Sequence, residues 1–406
     1  MLTFAEARAR ILAEAPRQPE EEVALEDCVG RVLAEDATAP GPLPPFDYSA
    51  MDGYALRAAD APGPCTLPVV GESRAGSAPA TLGSGVAARI FTGAPLPAGA
   101  DSVLPQEDVE RCGDTIVLAQ PPTPGRHIRR AGEDLATGAV AVARGTRLTP
   151  THLALLATVD RPRVRVSCAP RVVILSTGDE LRDPGTPARP GSVVDSNGPM
   201  LVALCRRVGA VVERTRAPDD LEAIRAAIRD ALARADVLLT IGGVSVGEHD
   251  HVRDALAAEG VGLDFWKVAI KPGKPLAFGR HESRAGATGR GGNARVLGLP
   301  GNPAAAFVTF TAFVAPLLRA MQGDAHPFAR TVTARLTRTA KAGPSRLELM
   351  RARLANEGGE LRATVLDNQA SGAVTSIAWA DAIVPVAAGS TIEAGTLVEA
   401  WLLDAL

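Results

Sequence analysis

The chain has 406 residues, room for roughly two to four domains of ordinary size. With 46% hydrophobic and 22% charged residues it can bury several cores, and a net charge of −3 gives no cause for non-specific nucleic-acid binding. The most apolar stretch, 303–318, is shorter than the ~20 residues of a membrane span and stops at Arg319. No basic leader precedes an apolar block, and five cysteines without a CxxC pair argue against a disulfide framework or a zinc site. The expectation is a multidomain cytoplasmic protein with neither nucleic acid nor membrane as partner.

Thr3 and Glu6 have the spacing of a capping box, so a helix is expected over 3–15, with Ala7, Ile11 and Ala15 on one face. Pro40, Pro42, Pro44 and Pro45 punctuate a linker. The segment beyond is rich in Gly and Pro and carries short β-like runs at 87–91 and 115–118, the latter after a Cys112-Gly113-Asp114 turn. It reads as a small β domain inserted ahead of a helix at 151–158. From Arg171 strands alternate with helices: strands at 172–175, 211–215, 237–241 and 296–299, helices at 200–208 and 219–235. A last helix is capped by Asn302, has Pro303 in first position, turns Phe307, Phe310, Val314 and Leu317 inward, and is expected to break near Pro316. Such alternation implies a parallel sheet with helices on both faces. Beyond His326 short alternating runs at 331–335, 347–354, 361–365 and 396–402 predict a C-terminal β-barrel or sandwich. The Gly- and Ala-rich stretch 284–293 reads as a surface loop.

Lysine usage is the sharpest compositional signal. Of 43 basic residues only Lys267, Lys271, Lys274 and Lys341 are lysine, and three of these lie within eight residues. Lysine is a compact point charge and arginine a planar fork, so a site needing the former resists exchange. The Pro272-Gly273 turn sets Lys271 and Lys274 on a stiff loop suited to oxyanions. No Walker A sequence occurs, which excludes P-loop nucleotide hydrolysis.

Ligands of open parallel sheets bind beyond the carboxyl ends of the strands. Three loops leave those ends here: Ser176-Thr177-Gly178-Asp179-Glu180, the run from Gly242-Gly243 through Ser245 to Asp250, and Pro300-Gly301-Asn302-Pro303. Together they offer glycine N–H groups, hydroxyls and carboxylates, a set suited to a phosphate ligand with a divalent cation. Singly, each has a plainer use. Gly242-Gly243 can be a tight turn, Asp179, Glu180 and Asp250 can be caps, and His249 and His251 can be surface residues.

With these loops in view, the chain resembles the molybdopterin molybdenumtransferases, the molybdenum insertases of the MoeA type, to which the gephyrin E domain is similar. The resemblance runs in order through Pro45-Phe46-Asp47-Tyr48-Ser49-Ala50-Met51-Asp52-Gly53-Tyr54-Ala55, Phe91-Thr92-Gly93-Ala94-Pro95 and Gly132-Glu133-Asp134. It continues through 176–181, Asp195-Ser196-Asn197, 242–250, 271–275 and Leu299-Pro300-Gly301-Asn302-Pro303. It implies an α/β plus all-β chain of elongated shape with four domains: 1–40 with 137–167, an inserted β-rich domain at 41–136, a parallel-sheet molybdopterin-binding domain at 168–325, and a β-barrel at 326–406.

The resemblance further implies a transferase of molybdenum cofactor biosynthesis, whose substrates are molybdate and adenylylated molybdopterin and whose reaction releases AMP with Mg²⁺ assisting. Glu180, Asp195 and Asp250 would hold the metal, though which of them ligates stays open. Lys267, Lys271 and Lys274 would stabilise phosphate and molybdate oxygens. Ser176, Thr177, Gly178, Gly242, Gly243, Ser245, Pro300, Asn302 and Pro303 would line the substrate, with Arg346 and Ser371 at the oxyanion. Asp52, Thr92 and Asp134 would reach the cleft from the partner of a homodimer. Further implied partners are the molybdopterin adenylyltransferase and the recipient molybdoenzymes. Two departures stand out. Ala304-Ala305-Ala306 replaces a serine frequent in relatives, which puts one molybdate contact in doubt, and the Ala380-Asp381-Ala382 turn stands where Ala-Asp/Asn-Gly is more usual, a structural difference. Two alternatives remain at this point: an adenylylating enzyme built on the same sheet domain, which would lack 49–55 and the C-terminal domain, and a non-catalytic scaffold.

Overall fold

The computed structural model describes residues 1–78, 80–243, 251–282 and 293–403. The capping box at the N-terminus forms as expected. Thr3 accepts from the Glu6 N–H and the Glu6 carboxylate accepts from the Thr3 N–H, starting the helix Phe4–Ala13. Although this segment was expected with the elongated unit, the helix buries Ala7 and Ile11 in the core of the sheet domain, beside Val172, Leu297 and Phe313. The elongated unit itself closes through antiparallel pairing of Glu20–Ala24 with Arg163–Ser167, over a core of Cys28, Leu33, Leu148, Leu156 and Val166.

The inserted unit is a six-stranded sheet in the order Ser102–Pro105, Gly53–Leu56, Ala87–Ile90, Cys65–Ser73, Thr115–Leu118, Glu110–Cys112. Its strand Gly53–Leu56 opens on a glycine because no side chain fits there: a Cβ would lie 1.9 Å from the Leu104 carbonyl oxygen.

The sheet of the α/β domain has the order Val211–Ala217, Arg171–Thr177, Val237–Ile241, Arg295–Leu299, Pro275–His281, Val261–Lys267. The first four strands are parallel, and their central members are buried aliphatic runs covered on both faces, as such strands must be. To these four parallel strands the fold adds two more at one side, Pro275–His281 antiparallel to both of its neighbours. Val261–Lys267 therefore runs in the same sense as Arg295–Leu299, and Lys267 ends at the same edge as Leu299.

Pro303–Met321 is a continuous helical run of 19 residues, apolar enough to cross a membrane by length and composition, yet 94% of that window is buried inside the protein. It passes through Arg319, itself buried, rather than stopping there. Its irregularity precedes Pro316: a π-helical turn, Phe310–Val314, separates Pro303–Thr309 from Ala315–Met321, and Pro316, which has no N–H to donate to the preceding turn, lies just after it.

The C-terminal strands Leu347–Glu357, Glu360–Val365, Thr331–Leu336, Leu397–Leu402 and Ala382–Val386 pair in that order, and the last returns to the first, closing a five-stranded barrel. The turn expected at 380–382 leads directly into the strand Ala382–Val386. A sixth pairing joins the barrel to the sheet domain, with Ile270 beside Leu347 and Lys271 beside Glu348 in parallel.

The lysine turn is seated on the core helix. Gly273 has φ +104°, and a Cβ there would lie 2.4 Å from Thr309 Cγ2, whose residue is fully buried. Gly273→Ala is expected to cost about 2 kcal/mol or more, from overpacking and a backbone conformation closed to L side chains. A thermal melt of the variant checks this.

Candidate active site

Four segments meet at one edge of the sheet. In the parallel register Ser176 lies beside Ile241, and Ile241 beside Leu299, so the loops that follow leave side by side. Gly242 donates its N–H to the Leu299 carbonyl at 3.2 Å, and a Cβ on Gly301 would be only 3.7 Å from Gly242 Cα. Gly242 and Gly243 are both left-handed, at φ +79° and +64°, which lets the chain turn sharply beneath the neighbouring loop. The fourth segment is the lysine hairpin: Lys267 opposes Pro275 in register, so Lys267, Lys271 and Lys274 hang from the same edge, all three exposed.

Glu180 is exposed, and its carboxylate folds back over Gly178, where φ is +135° and a Cβ would meet Glu180 Oε2 at 2.6 Å. Arg216 donates to the Gly178 carbonyl at 3.2 Å and also to that of Leu181, tying down this loop. Thr177 is buried at the strand end.

Asp195 has a different task from the metal ligation expected of it. It is 2% exposed, and its carboxylate accepts from Ser176 Oγ at 3.1 Å, the Gly198 N–H at 2.8 Å and Arg214 at 3.0 Å. Ser176 is fully buried, with its hydroxyl committed to this network rather than turned to a ligand. Two residues on, Asn197 donates to the Gly301 carbonyl at 2.6 Å, so the segment 195–197 braces the loop at 300–303 against the end of the first parallel strand. Asp195→Ala leaves the Ser176 hydroxyl and the Gly198 N–H without their acceptor, while Arg214 keeps Asp183 at 2.6 Å, and is expected to cost about 2 kcal/mol in unfolding free energy by urea titration.

The third expected metal ligand, Asp250, and the substrate residue Ser245 lie outside the described residues, as does nearly all of the 284–293 loop. Among the described residues no group of three His, Cys, Asp or Glu side chains converges to hold a cation. The donor set expected for Mg²⁺ is thus not assembled by what is described. Asp219, passed over in sequence, does reach this edge from the strand Val211–Ala217 and exchanges backbone-to-carboxylate bonds with Asp179 at 3.2 and 3.3 Å.

The barrel supplies the other wall. Asn302 stands at the N-cap position, but its amide donates to Ser371 Oγ at 3.0 Å instead of capping the helix. Ala305 donates its N–H to the Ser371 carbonyl at 3.1 Å, so Ser371 is fixed over the Pro300–Pro303 loop, with Pro300 buried beneath. Arg346 is half-buried just before the strand that carries Glu348. Arg351, on that strand, escaped sequence reading. It is 1% exposed, and it donates to Ser376 Oγ and the Ala370 carbonyl, clasping the segment that presents Ser371. Burial pushes its guanidinium down to about 10. An arginine in an otherwise alternating strand was the only available signal.

In the inserted unit Asp52 and Thr92 are brought together. Asp52 Oδ1 accepts the Thr92 N–H at 2.8 Å and its hydroxyl at 3.0 Å, and the N–H first, then the hydroxyl, hold the carboxyl below its ordinary value. Asp134 pairs with Arg129 at 3.0 Å. Each of these bonds stays inside the inserted unit.

A parallel sheet with functional loops on its carboxyl edge, an inserted β unit and a C-terminal barrel define a multidomain enzyme of the molybdopterin-binding class. Family models match in chain order: "MoeA N-terminal region (domain I and II)" over residues 2–159, "Probable molybdopterin binding domain" over 173–320, and "MoeA C-terminal region (domain IV)" over 333–403. The molybdopterin molybdenumtransferase of Haemophilus influenzae is 40% identical over 328 residues, 80% of this chain and 78% of that one. That of Staphylococcus aureus is 34% identical over 411 residues, 98% and 95% of the two chains. The crystal structure of the molybdopterin biosynthesis MoeA protein from Pyrococcus horikoshii superposes with a TM-score of 0.84 at 30% identity, covering 99% of this chain and all of that one. The chain belongs to the molybdopterin molybdenumtransferase (MoeA) family, and is a transferase of molybdenum cofactor biosynthesis.

Proposed function

We propose that the protein inserts molybdate into adenylylated molybdopterin and releases AMP. One observation carries the reading: the lysine hairpin, the three strand-end loops and the barrel's Ser371 share one edge of the sheet. Opening a phosphoanhydride leaves negative charge on the departing AMP and the remaining phosphate. Exposed ammonium groups on a rigid hairpin, those of Lys267, Lys271 and Lys274, stabilise that charge where it develops. Lys271, with Ser371 and Arg346 on the barrel side, takes the tetrahedral oxyanion. Glu180 stands at the mouth as the orienting carboxylate.

On this reading the enzyme is a homodimer, with Asp52, Thr92 and Asp134 completing the cleft of the other subunit. The confinement of their bonds to the inserted unit supports it, since Asp52 pairs with Thr92, Asp134 with Arg129, and none of these bonds commits them to their own sheet domain. Supply of the substrate by a molybdopterin adenylyltransferase, delivery to molybdoenzymes and a cytoplasmic location belong to the same proposal.

The test is to incubate purified protein with adenylylated molybdopterin and molybdate and to follow AMP by chromatography, with Mg²⁺ as a variable. AMP release that requires molybdate supports the reading. Intact adenylylated substrate after full incubation, with and without Mg²⁺, refutes it. The Mg²⁺ arm separately decides the cation expectation.

A further inference from the structure

Lys271, the most constrained of the clustered lysines, is already partnered. Its Nζ lies 3.1 and 3.2 Å from the two carboxylate oxygens of Glu348. Glu348 is 7% exposed, and Oε1 also accepts the Gly343 N–H at 2.9 Å. The backbone enforces the pairing, because Lys271 and Glu348 are register partners where the hairpin joins the barrel. The lysine side chain, by contrast, keeps 45% of its surface exposed.

A carboxylate this buried is costly to leave alone, so it grips the ammonium it faces. The grip has two consequences for any anion arriving from the open side. It fixes Nζ in position, and it places a negative charge one hydrogen bond behind the positive one. We infer that Glu348 sets the oxyanion affinity of the site: it anchors Lys271 for reaction and, as a counter-charge, keeps the oxyanion weakly held so that it can pass on to the second substrate. The ligand class is a small doubly charged tetrahedral oxyanion. The inference rests on the proposal that Lys271 meets the molybdate.

Anchoring alone and counter-charge differ in sign. If Glu348 only positions Lys271, its loss weakens oxyanion binding. If it is also a counter-charge, its loss strengthens binding while slowing the reaction. Molybdate binding to the full-length protein is measured by isothermal titration calorimetry for wild type, Glu348→Gln, Glu348→Asp and Lys271→Ala, with a thermal melt of each. Glu348→Gln keeps an acceptor for Gly343 and for Nζ, and is expected to bind molybdate about fivefold or more tightly, as removal of a nearby like charge requires. Its AMP release at saturating molybdate falls, so KM and kcat drop together. Glu348→Asp retains the charge and must not tighten binding. Should the Gln variant melt too low to titrate, Glu348→Ala must show the same tightening.

Unchanged or weaker binding by a folded charge-removing variant overturns the inference, as does equal tightening by Glu348→Asp. Wild-type molybdate binding by Lys271→Ala overturns instead the underlying assignment of Lys271 to the oxyanion. The two failures are therefore distinct.

Discussion

Lys271→Arg is expected to lose about 10²-fold in molybdate-dependent AMP release at an unchanged melting temperature. The charge is kept, so simple electrostatics predicts little change, and the loss has to come from shape. Glu348 offers both carboxylate oxygens to Nζ at 3.1 and 3.2 Å, a geometry that an ammonium fills as a point charge with donors left over. A guanidinium would take the same carboxylate bidentately, with two parallel N–H donors, and turn its plane toward the barrel. Its remaining N–H groups then point where the fork dictates and not where the oxyanion sits. The hairpin cannot shift to compensate, since Gly273 is wedged against Thr309. Lys341→Arg is the control: Lys341 is exposed, in the short strand Ala340–Lys341 that pairs with Thr391–Ile392, and its variant should match wild type. Steady-state AMP release and a melting curve for the two variants decide the matter. Equal activity would make the lysine cluster an accident of an arginine-rich composition.

What the sequence disclosed followed from how locally each feature is encoded. The central parallel strands are aliphatic runs between turn signals, and the capping box and Pro303 are short-range patterns, so all were legible. The two antiparallel strands were not. Val261–Lys267 and Pro275–His281 carry Gly262, Gly279 and a strand-initial proline, and their pairing depends on a neighbour supplied by the fold. Ala382–Val386 was hidden by Pro385, yet it pairs with both Leu347–Glu357 and Leu397–Leu402. The site divides in the same way. The loops and lysines announced themselves by composition. Asp195 was legible as a carboxylate but not as a buried one, because Arg214 is brought to it by the adjacent strand. Glu348 had no local signal and Arg351 only that of an arginine within a strand pattern, since each acquires its meaning from a contact between domains or within the closed barrel.

Mixing two inactive variants is expected to restore activity. Asp52→Ala damages only the face offered by the inserted unit, and Lys271→Ala damages only the sheet cleft. In a homodimer with shared clefts, each cleft takes its lysines from one chain and its Asp52 from the other. An Asp52→Ala homodimer and a Lys271→Ala homodimer are then both defective at every cleft. A heterodimer of the two has one cleft carrying both lesions and one carrying neither. Random exchange of equal amounts makes half of the dimers heterodimers, so about one quarter of all clefts should be intact, by the symmetry of a two-fold assembly. The measurement is AMP release after the two proteins are mixed under conditions that exchange subunits, compared with each alone. Recovery to about a quarter of the wild-type rate is the signature of a cleft built from two chains. If the mixture stays as inactive as its components while wild-type subunits exchange normally, Asp52 must serve the cleft of its own chain.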